Sequence, residues 1–153
     1  NYITPHHAQT LKNSLVQSGD VIFTHAGNIG QVAFLHSTAK YPEYIISQRQ
    51  FYLRPDEKIA SGLFFTLFFK SPTGQHKLLA NASSTGVPSI SRPVSYLRSI
   101  EMIVPKIDLM QSFDRTIRSI YESIAAGRQE ITLLSNLRGI LLPKLISGQI
   151  NVE

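Results

Sequence analysis

The stretch FDRTIRSIYESIAAGRQEITLLSNLRGIL, residues 113–141, carries the pattern that decides the fold. Its apolar residues recur at alternating spacings of three and four, which is typical of a helix whose apolar stripe packs on another helix. We predict a coiled-coil-type helix from about Met110 to Leu142, roughly 50 Å long at 1.5 Å per residue, part of which should project. The predicted helix-pairing residues are Phe113, Ile117, Ile120, Ile124, Ile131, Leu134 and Leu141.

Two positions of this stripe are not apolar, and each allows two interpretations. Gly127 costs about 1 kcal/mol relative to Ala inside a helix. It marks either a close helix approach or bend, or a tolerated defect. Arg138 either fixes the register by pairing with an acid on a partner helix, or extends its charged end to the edge of the contact.

The end of the helix carries its own signals. Leu133, Leu137 and Ile140 widen the apolar stripe, which predicts more than one packing partner there. Pro143 is expected to kink or end the helix, and Gly148 is a C-cap candidate.

The residues before this helix contain both strand and helix patterns, which together predict an α+β fold with a mixed sheet. Residues 21–24 and 31–35 are rich in β-formers and flank a Gly-containing loop, so they predict a hairpin. Residues 44–53 predict one further strand, and residues 99–104 predict a last strand that is closed by Pro105.

Helix signals interrupt these strands. Thr4-Pro5 resembles a helix start, followed by Leu11, Leu15 and Val16 at helical spacing. Residues 59–69 fit either a buried strand or a buried helix, and their length favours the helix. The other signals are an N-cap at Ser71-Pro72, a loop over residues 81–91 and a short helix that begins at Ser91-Arg92-Pro93.

The charge is unevenly placed along the chain. Residues 1–106 hold ten Lys and Arg against five acids, whereas residues 107–153 hold five of each. Between Lys58 and Ile100 there is no acid at all. A basic domain joined to a neutral helix indicates a polyanion partner for the first part, and the alternative is simply a basic surface.

Composition excludes several classes of protein. The absence of Cys rules out disulfides and thiolate metal sites. The longest apolar stretch is too short for a bilayer, which needs roughly 20 residues, so no membrane partner is predicted. The first residues do not form a signal peptide.

No catalytic pattern is present in the sequence. It contains no P-loop, no H-E-x-x-H and no G-x-S-x-G, and its five His are scattered. We therefore predict no catalytic residue, no metal site and no cofactor.

Several segments match one family. The segments are residues 131–152, which give the clearest match, and residues 19–24, 27–30, 48–55, 86–96 and 100–105. They resemble the conserved-region helix and the target recognition domain of specificity subunits in type I restriction–modification systems. Two departures stand out: the linker at residues 104–111 has one Pro and no Glu, and the family's recognition domain normally begins well before the segment that matches Tyr2. The resemblance therefore predicts that N-terminal strands are missing.

The resemblance implies a protein without chemistry of its own, in a prokaryotic cytoplasm. Residues 1–106 would be a target recognition domain that reads one half-site of double-stranded DNA. Residues 107–153 would be the conserved-region helix with a short tail. The implied partners are the methylation (M) subunit, the restriction (R) subunit, and another specificity half or a second copy through the long helix.

DNA binding uses cations on phosphates for affinity, and polar side chains that reach base edges for sequence. The phosphate candidates are Lys70, Lys77 and Arg92. The base-edge candidates are His25, Asn28, Gln48, Arg49, Gln75, His76, Ser84 and Thr85. Two alternatives remain open: a protein-docking or oligomerisation module with only non-specific DNA affinity, and a fragment of an enzyme such as a nuclease.

Overall fold

The computed structural model describes residues 2–150 of the chain, which divides after Arg115 into two compact units. In chain order the elements are α1 (Pro5–Thr10), β1 (Leu15–Gln17), β2 (Val21–Thr24), β3 (Val32–Phe34), β4 (Glu43–Ile45), β5 (Gln50–Leu53), α2 (Gly62–Lys70), α3 (Pro72–Leu79), β6 (Ala82–Ser83), β7 (Ser89–Ile90), α4 (Pro93–Ser99) and α5 (Ile107–Ile146). The predicted class, α+β with a long C-terminal helix, is confirmed.

The central sheet of the first unit has the strand order β3-β2-β5. Ile22 pairs with Ala33 on one side and with Tyr52 on the other, and both pairings are antiparallel. The predicted hairpin of residues 21–24 and 31–35 is confirmed. The described strands pair only in antiparallel fashion, so the expected mixed sheet is not found in residues 2–150.

One face of this sheet carries the core. Phe23 is stacked on Phe51 with ring centroids 5.1 Å apart, and it meets the edge of Phe69 at 5.2 Å. Leu78 and Ile90 close the same cluster from α3 and β7. Each fully buried side chain of this size contributes roughly 1.5–3 kcal/mol, so these residues fix α2, α3 and β7 against the sheet.

Two predictions near the central sheet are wrong, one about a strand and one about a helix. Residues 44–53 are not one strand, because a turn at residues 46–49 separates β4 from β5 and sends β4 to pair with β1. Leu15 and Val16 consequently lie in β1 instead of continuing the first helix. The helix start itself is confirmed, since Thr4 Oγ1 accepts from His7 N at 3.3 Å.

The predicted last strand over residues 99–104 is also wrong. Ser99 still belongs to α4, and Ile100 N donates to Leu97 O at that helix end. Downstream, Glu101 O accepts from the Lys77 ammonium instead of from a neighbouring strand, and Ile103 is 91% exposed. An isolated apolar run without a sheet edge to pair with remains irregular.

Two serines cap the helices that cover the sheet. Ser61 Oγ accepts from Phe64 N at 3.2 Å, and this cap decides the ambiguous stretch 59–69 in favour of the helix α2. Ser71 Oγ accepts from Gly74 N at 3.1 Å, as its Ser-Pro sequence predicts. The loop predicted over residues 81–91 contains two two-residue strands, β6 and β7.

The helix α5 begins within the first unit. Met110 is 1% exposed, Phe113 meets the ring of Phe64 edge-on at 6.4 Å, and Asp114 accepts from Ser61 Oγ at 2.6 Å. None of the helices in the described residues has the length and the hydropathy that crossing a bilayer demands.

Pro143 does not end the helix, which was one of the two effects expected of it. Pro143 lies inside α5, which continues to Ile146. Beyond it, Gly148 has φ +72°, its N–H donates to Leu145 O, and Gln149 N donates to Lys144 O. These bonds form a Schellman motif, so the predicted C-cap at Gly148 is confirmed.

Candidate nucleic-acid interface

Three loops meet at the end of the central sheet where β2 ends and β5 begins. They are residues 25–30 after β2, residues 47–49 before β5, and residues 84–88 between β6 and β7. We call their joint surface the three-loop face. The candidates His25, Asn28, Gln48, Arg49, Ser84 and Thr85 lie on it.

Backbone hydrogen bonds join the loops around His25. His25 N donates to Arg49 O at 2.9 Å, and Ile90 N donates to His25 O at 2.8 Å. The His25 ring adds a contact of 3.1 Å between Nε2 and Gln48 O. That contact makes Nε2 the protonated nitrogen of the neutral ring, because a carbonyl only accepts, and leaves Nδ1 as the acceptor.

The first loop owes its shape to two glycines. Gly27 and Gly30 have φ of +83° and +79°, a region that residues with a side chain rarely adopt. Gly27 N donates to Pro88 O at 2.9 Å, and Gly30 N donates to Thr24 O at 3.2 Å. Asn28 sits between these anchors with its side chain exposed.

Side chains stiffen the turn that carries Arg49. Ser47 N donates to Gln50 Oε1 at 3.1 Å, and Arg49 N donates to Ser47 Oγ at 3.3 Å. The Arg49 side chain is exposed, and its Nη1 lies 3.7 Å from where a Cβ on Gly27 would be. Within residues 2–150 the guanidinium forms no ion pair, so its donor fork is available to a ligand.

Gln75 lies behind the three-loop face. It is half-buried, and its Nε2 donates to Gly30 O at 2.9 Å and to Phe69 O at 2.5 Å. The amide therefore supports the first loop from α3 and has both of its donors occupied.

The remaining candidates are distributed over other parts of the first unit. His76 and Lys77 line a groove of about 430 Å³ together with Tyr96 and Glu101, and Lys77 Nζ donates to Glu101 O at 2.9 Å. Lys70 is exposed at the end of α2.

Arg92 follows the base of the β6–β7 hairpin. It is exposed, immediately precedes α4, and has φ +45° and ψ +57°. Such a conformation costs a residue with a side chain about 1–3 kcal/mol. Its neighbour Ser91 accepts at its carbonyl from Asn81 Nδ2 at 3.1 Å, which ties the two ends of the hairpin.

Sequence reasoning missed an ion pair between the half-exposed Arg54 and the buried Asp20, which fixes the start of β2. Arg54 donates from Nε to Asp20 Oδ1 at 2.7 Å and from Nη2 to Asp20 Oδ2 at 2.6 Å. These bonds raise the pKa of Arg54 above its ordinary value. Asp20 is fully buried and also accepts from Gln17 N.

The predicted helix-pairing residues lie along α5. Phe113 lies in the first unit, where it contacts Phe64, and Ile117 is half-buried. In the second unit, taken by itself, Ile131 is 65% exposed, and the others are also exposed: Ile120, Ile124, Leu134 and Leu141. An apolar stripe of this length on a solvated helix indicates a contact with another helix.

No protein-family model matches the chain. The chain is similar to the type I restriction enzyme HindI specificity subunit of Haemophilus influenzae, with 28% identity over 122 residues. It is also 26% identical over 77 residues to the type I restriction enzyme MjaIX specificity subunit of Methanocaldococcus jannaschii. The matches cover 80% and 50% of this chain, but only 26% and 17% of those two proteins. The resemblance found in the sequence motifs is thus confirmed.

Proposed function

We propose that this chain is a DNA-reading portion of a type I restriction enzyme specificity subunit, and that its three-loop face contacts one half-site. The observation that carries the proposal is the convergence of three loops that hold His25, Asn28, Gln48, Arg49, Ser84 and Thr85. Rigid strands support these loops, as is usual for surfaces that recognise ligands. The likeness to two specificity subunits supports the same role.

Arg49 is the strongest base-reading residue in this proposal. A guanidinium with a free donor fork matches the O6 and N7 acceptors of guanine in the major groove. Asn28 and Gln48 offer amides that suit adenine, and His25 presents Nδ1 as an acceptor. Gln75 acts through Gly30 as a positioning residue, since its donors are occupied inside the protein.

Three cations of the first unit supply sequence-independent affinity in the proposed complex. Arg92 follows the hairpin, Lys70 is the last residue of α2, and Lys77 lies in α3. The acid-free segment from Lys58 to Ile100 contains all three of them. Neutralising phosphates releases counterions, so binding should weaken steeply with salt.

The long helix has a separate role in the proposed subunit. Its apolar stripe packs on another specificity helix, from a second copy or from another half of the subunit. Residues 1–106 then read the DNA half-site, and residues 107–153 set the spacing between half-sites. The assembly would also contain the methylation and restriction subunits, which carry the chemistry, in a prokaryotic cytoplasm.

Selection from a randomised duplex library at low salt tests the reading role. The retained duplexes should share a short half-site, and its enrichment should depend on Arg49. A chain that retains all duplexes equally, or none, would instead be a docking or oligomerisation module. That second candidate is favoured by the exposed stripe of α5.

A further inference from the structure

We propose that the tip of the β6–β7 hairpin, residues 84–87, enters the major groove and that Val87 contacts the 5-methyl group of a thymine. The inference rests on the proposed function and adds a specificity-determining residue to it. It assigns an apolar contact to a surface whose other candidates are all polar.

The base of the hairpin is fixed to the rest of the three-loop face. Ala26 and Ser89 form an isolated antiparallel bridge, and Gly27 N donates to Pro88 O at 2.9 Å. Ile90 is 2% exposed in the core, and its N–H donates to His25 O. The residue that follows Val87 is therefore held in place by backbone bonds and by a buried anchor.

The tip itself extends away from these anchors. Gly86 turns the chain with φ +76°, and a Cβ at this position would have no heavy atom within 4 Å. Ser84, Thr85 and Val87 are all exposed, and Val87 is exposed to 65%. A branched apolar side chain on a preorganised protrusion gains free energy only if a ligand covers it.

The surroundings of the tip favour DNA over a protein as that ligand. Arg49 Nη1 lies 3.7 Å from where a Cβ on Gly27 would be, and Arg92 follows the base of the hairpin in the chain. No acid occurs between Lys58 and Ile100 to oppose a phosphate backbone. The major groove of B-DNA admits a two-stranded β-ribbon, which is the form of this hairpin.

The chemistry of the tip matches one base in particular. Thymine presents its methyl group next to the O4 acceptor, and no other base of unmodified DNA offers that pair. Val87 suits the methyl, while the hydroxyls of Ser84 and Thr85 can donate to O4. The tip therefore reads a T·A pair within the half-site.

Replacing thymine by deoxyuridine removes only the methyl group and so tests the contact. After selection of the half-site with the full chain, each thymine is exchanged in turn and the dissociation constant is measured. Wild type should lose about fourfold in affinity at one position, the value for one buried methyl group. Val87→Ala should bind the thymine and deoxyuridine duplexes equally.

Val94→Ala is the matched control, because Val94 is an exposed valine on α4. It should retain the wild-type preference for thymine, and the unfolding midpoint of both variants should equal that of wild type. A selected half-site with no methyl-sensitive thymine, or a Val87→Ala variant that keeps the sensitivity, overturns the inference and leaves the proposed function standing. If no half-site is selected, the proposed function fails and the inference fails with it.

Discussion

Ser61 Oγ donates to Asp114 Oδ1 at 2.6 Å and at the same time accepts from Phe64 N at 3.2 Å. One hydroxyl therefore caps α2 and bonds the early part of α5 to it. The two residues lie 53 positions apart in the sequence. The bond, with the edge-on contact of Phe64 and Phe113, holds the start of α5 against α2 within the first unit.

Removing this carboxylate should destabilise the first unit. Asp114→Ala leaves the Ser61 hydroxyl without its acceptor, and the free energy of unfolding should fall by about 1–2 kcal/mol because a charged acceptor is lost. Urea unfolding measures the change. Glu122→Ala, an exposed acid of the same helix, should change stability by under about 0.5 kcal/mol. Equal effects of the two substitutions would contradict the role given to Ser61 and Asp114.

The ion pair of Arg54 and Asp20 should matter more. Arg54→Leu leaves Asp20 buried, with Gln17 N as its remaining hydrogen-bond donor among residues 2–150. We expect a loss of about 2 kcal/mol, below the roughly 3–5 kcal/mol of a fully enclosed pair, because water screens an Arg that is 44% exposed. Thermal unfolding of the Arg54→Leu variant measures this loss. The control variant is Arg98→Leu, because Arg98 is an exposed cation of α4. If the Tm of Arg54→Leu is no lower than that of Arg98→Leu, the ion pair does not stabilise the fold.

Arg49 should determine sequence preference. Arg49→Lys keeps the charge but loses the planar fork, so affinity for the selected half-site should fall by roughly 10- to 100-fold while binding to random duplex stays nearly unchanged. Competition titrations with the two duplexes measure both quantities. Arg98→Lys serves as the control. Parallel losses on both duplexes would make Arg49 a phosphate contact instead.

Lys70 should act through charge alone. Lys70→Ala should weaken binding to every duplex and reduce the slope of log K against log salt by about one unit. Lys144→Ala, in the second unit, should leave the slope unchanged. A slope unaffected by Lys70→Ala would remove this residue from the phosphate contacts.

The stripe of α5 should drive self-association. Ile131→Asp places a charge where an apolar surface has to be buried, so dimerisation at high concentration should weaken by roughly 100-fold or more. Sedimentation equilibrium measures the association. Gln129→Asp introduces the same charge outside the apolar stripe and should leave the association unchanged. A wild-type chain that remains monomeric at high concentration would count against the pairing.

Local sequence signals predicted the elements that depend on neighbouring residues. The hairpin of β2 and β3, the caps at Ser71 and Gly148, and the course of α5 follow from patterns within a few residues or from one periodic stripe. Residues 44–53 were wrongly predicted as one strand because their polar centre, Ser47 to Arg49, forms a turn. Hydrogen bonds between Ser47 and Gln50 stabilise this turn. That turn overrides the β-propensity on either side.

The arrangement of the candidate site depends on contacts between distant parts of the chain. The ring of His25 meets Gln48 O across 23 residues, and its backbone meets Ile90. Residue type alone identified Arg49, Asn28 and Gln75 as candidates for base contacts. It could not show that Arg49 and Asn28 are available to a ligand whereas Gln75 is not. The difference lies in the carbonyls of Gly30 and Phe69, which occupy the Gln75 amide.

The bonds that join the three loops come almost entirely from main-chain atoms, with the His25 ring as the side-chain exception. Main-chain donors and acceptors are the same for every residue except proline. Asn28, Thr85 and Val87 can therefore be exchanged for other side chains while the loops keep their positions. A protein built in this way can acquire a new target sequence through a few substitutions at the loop tips, without a new fold.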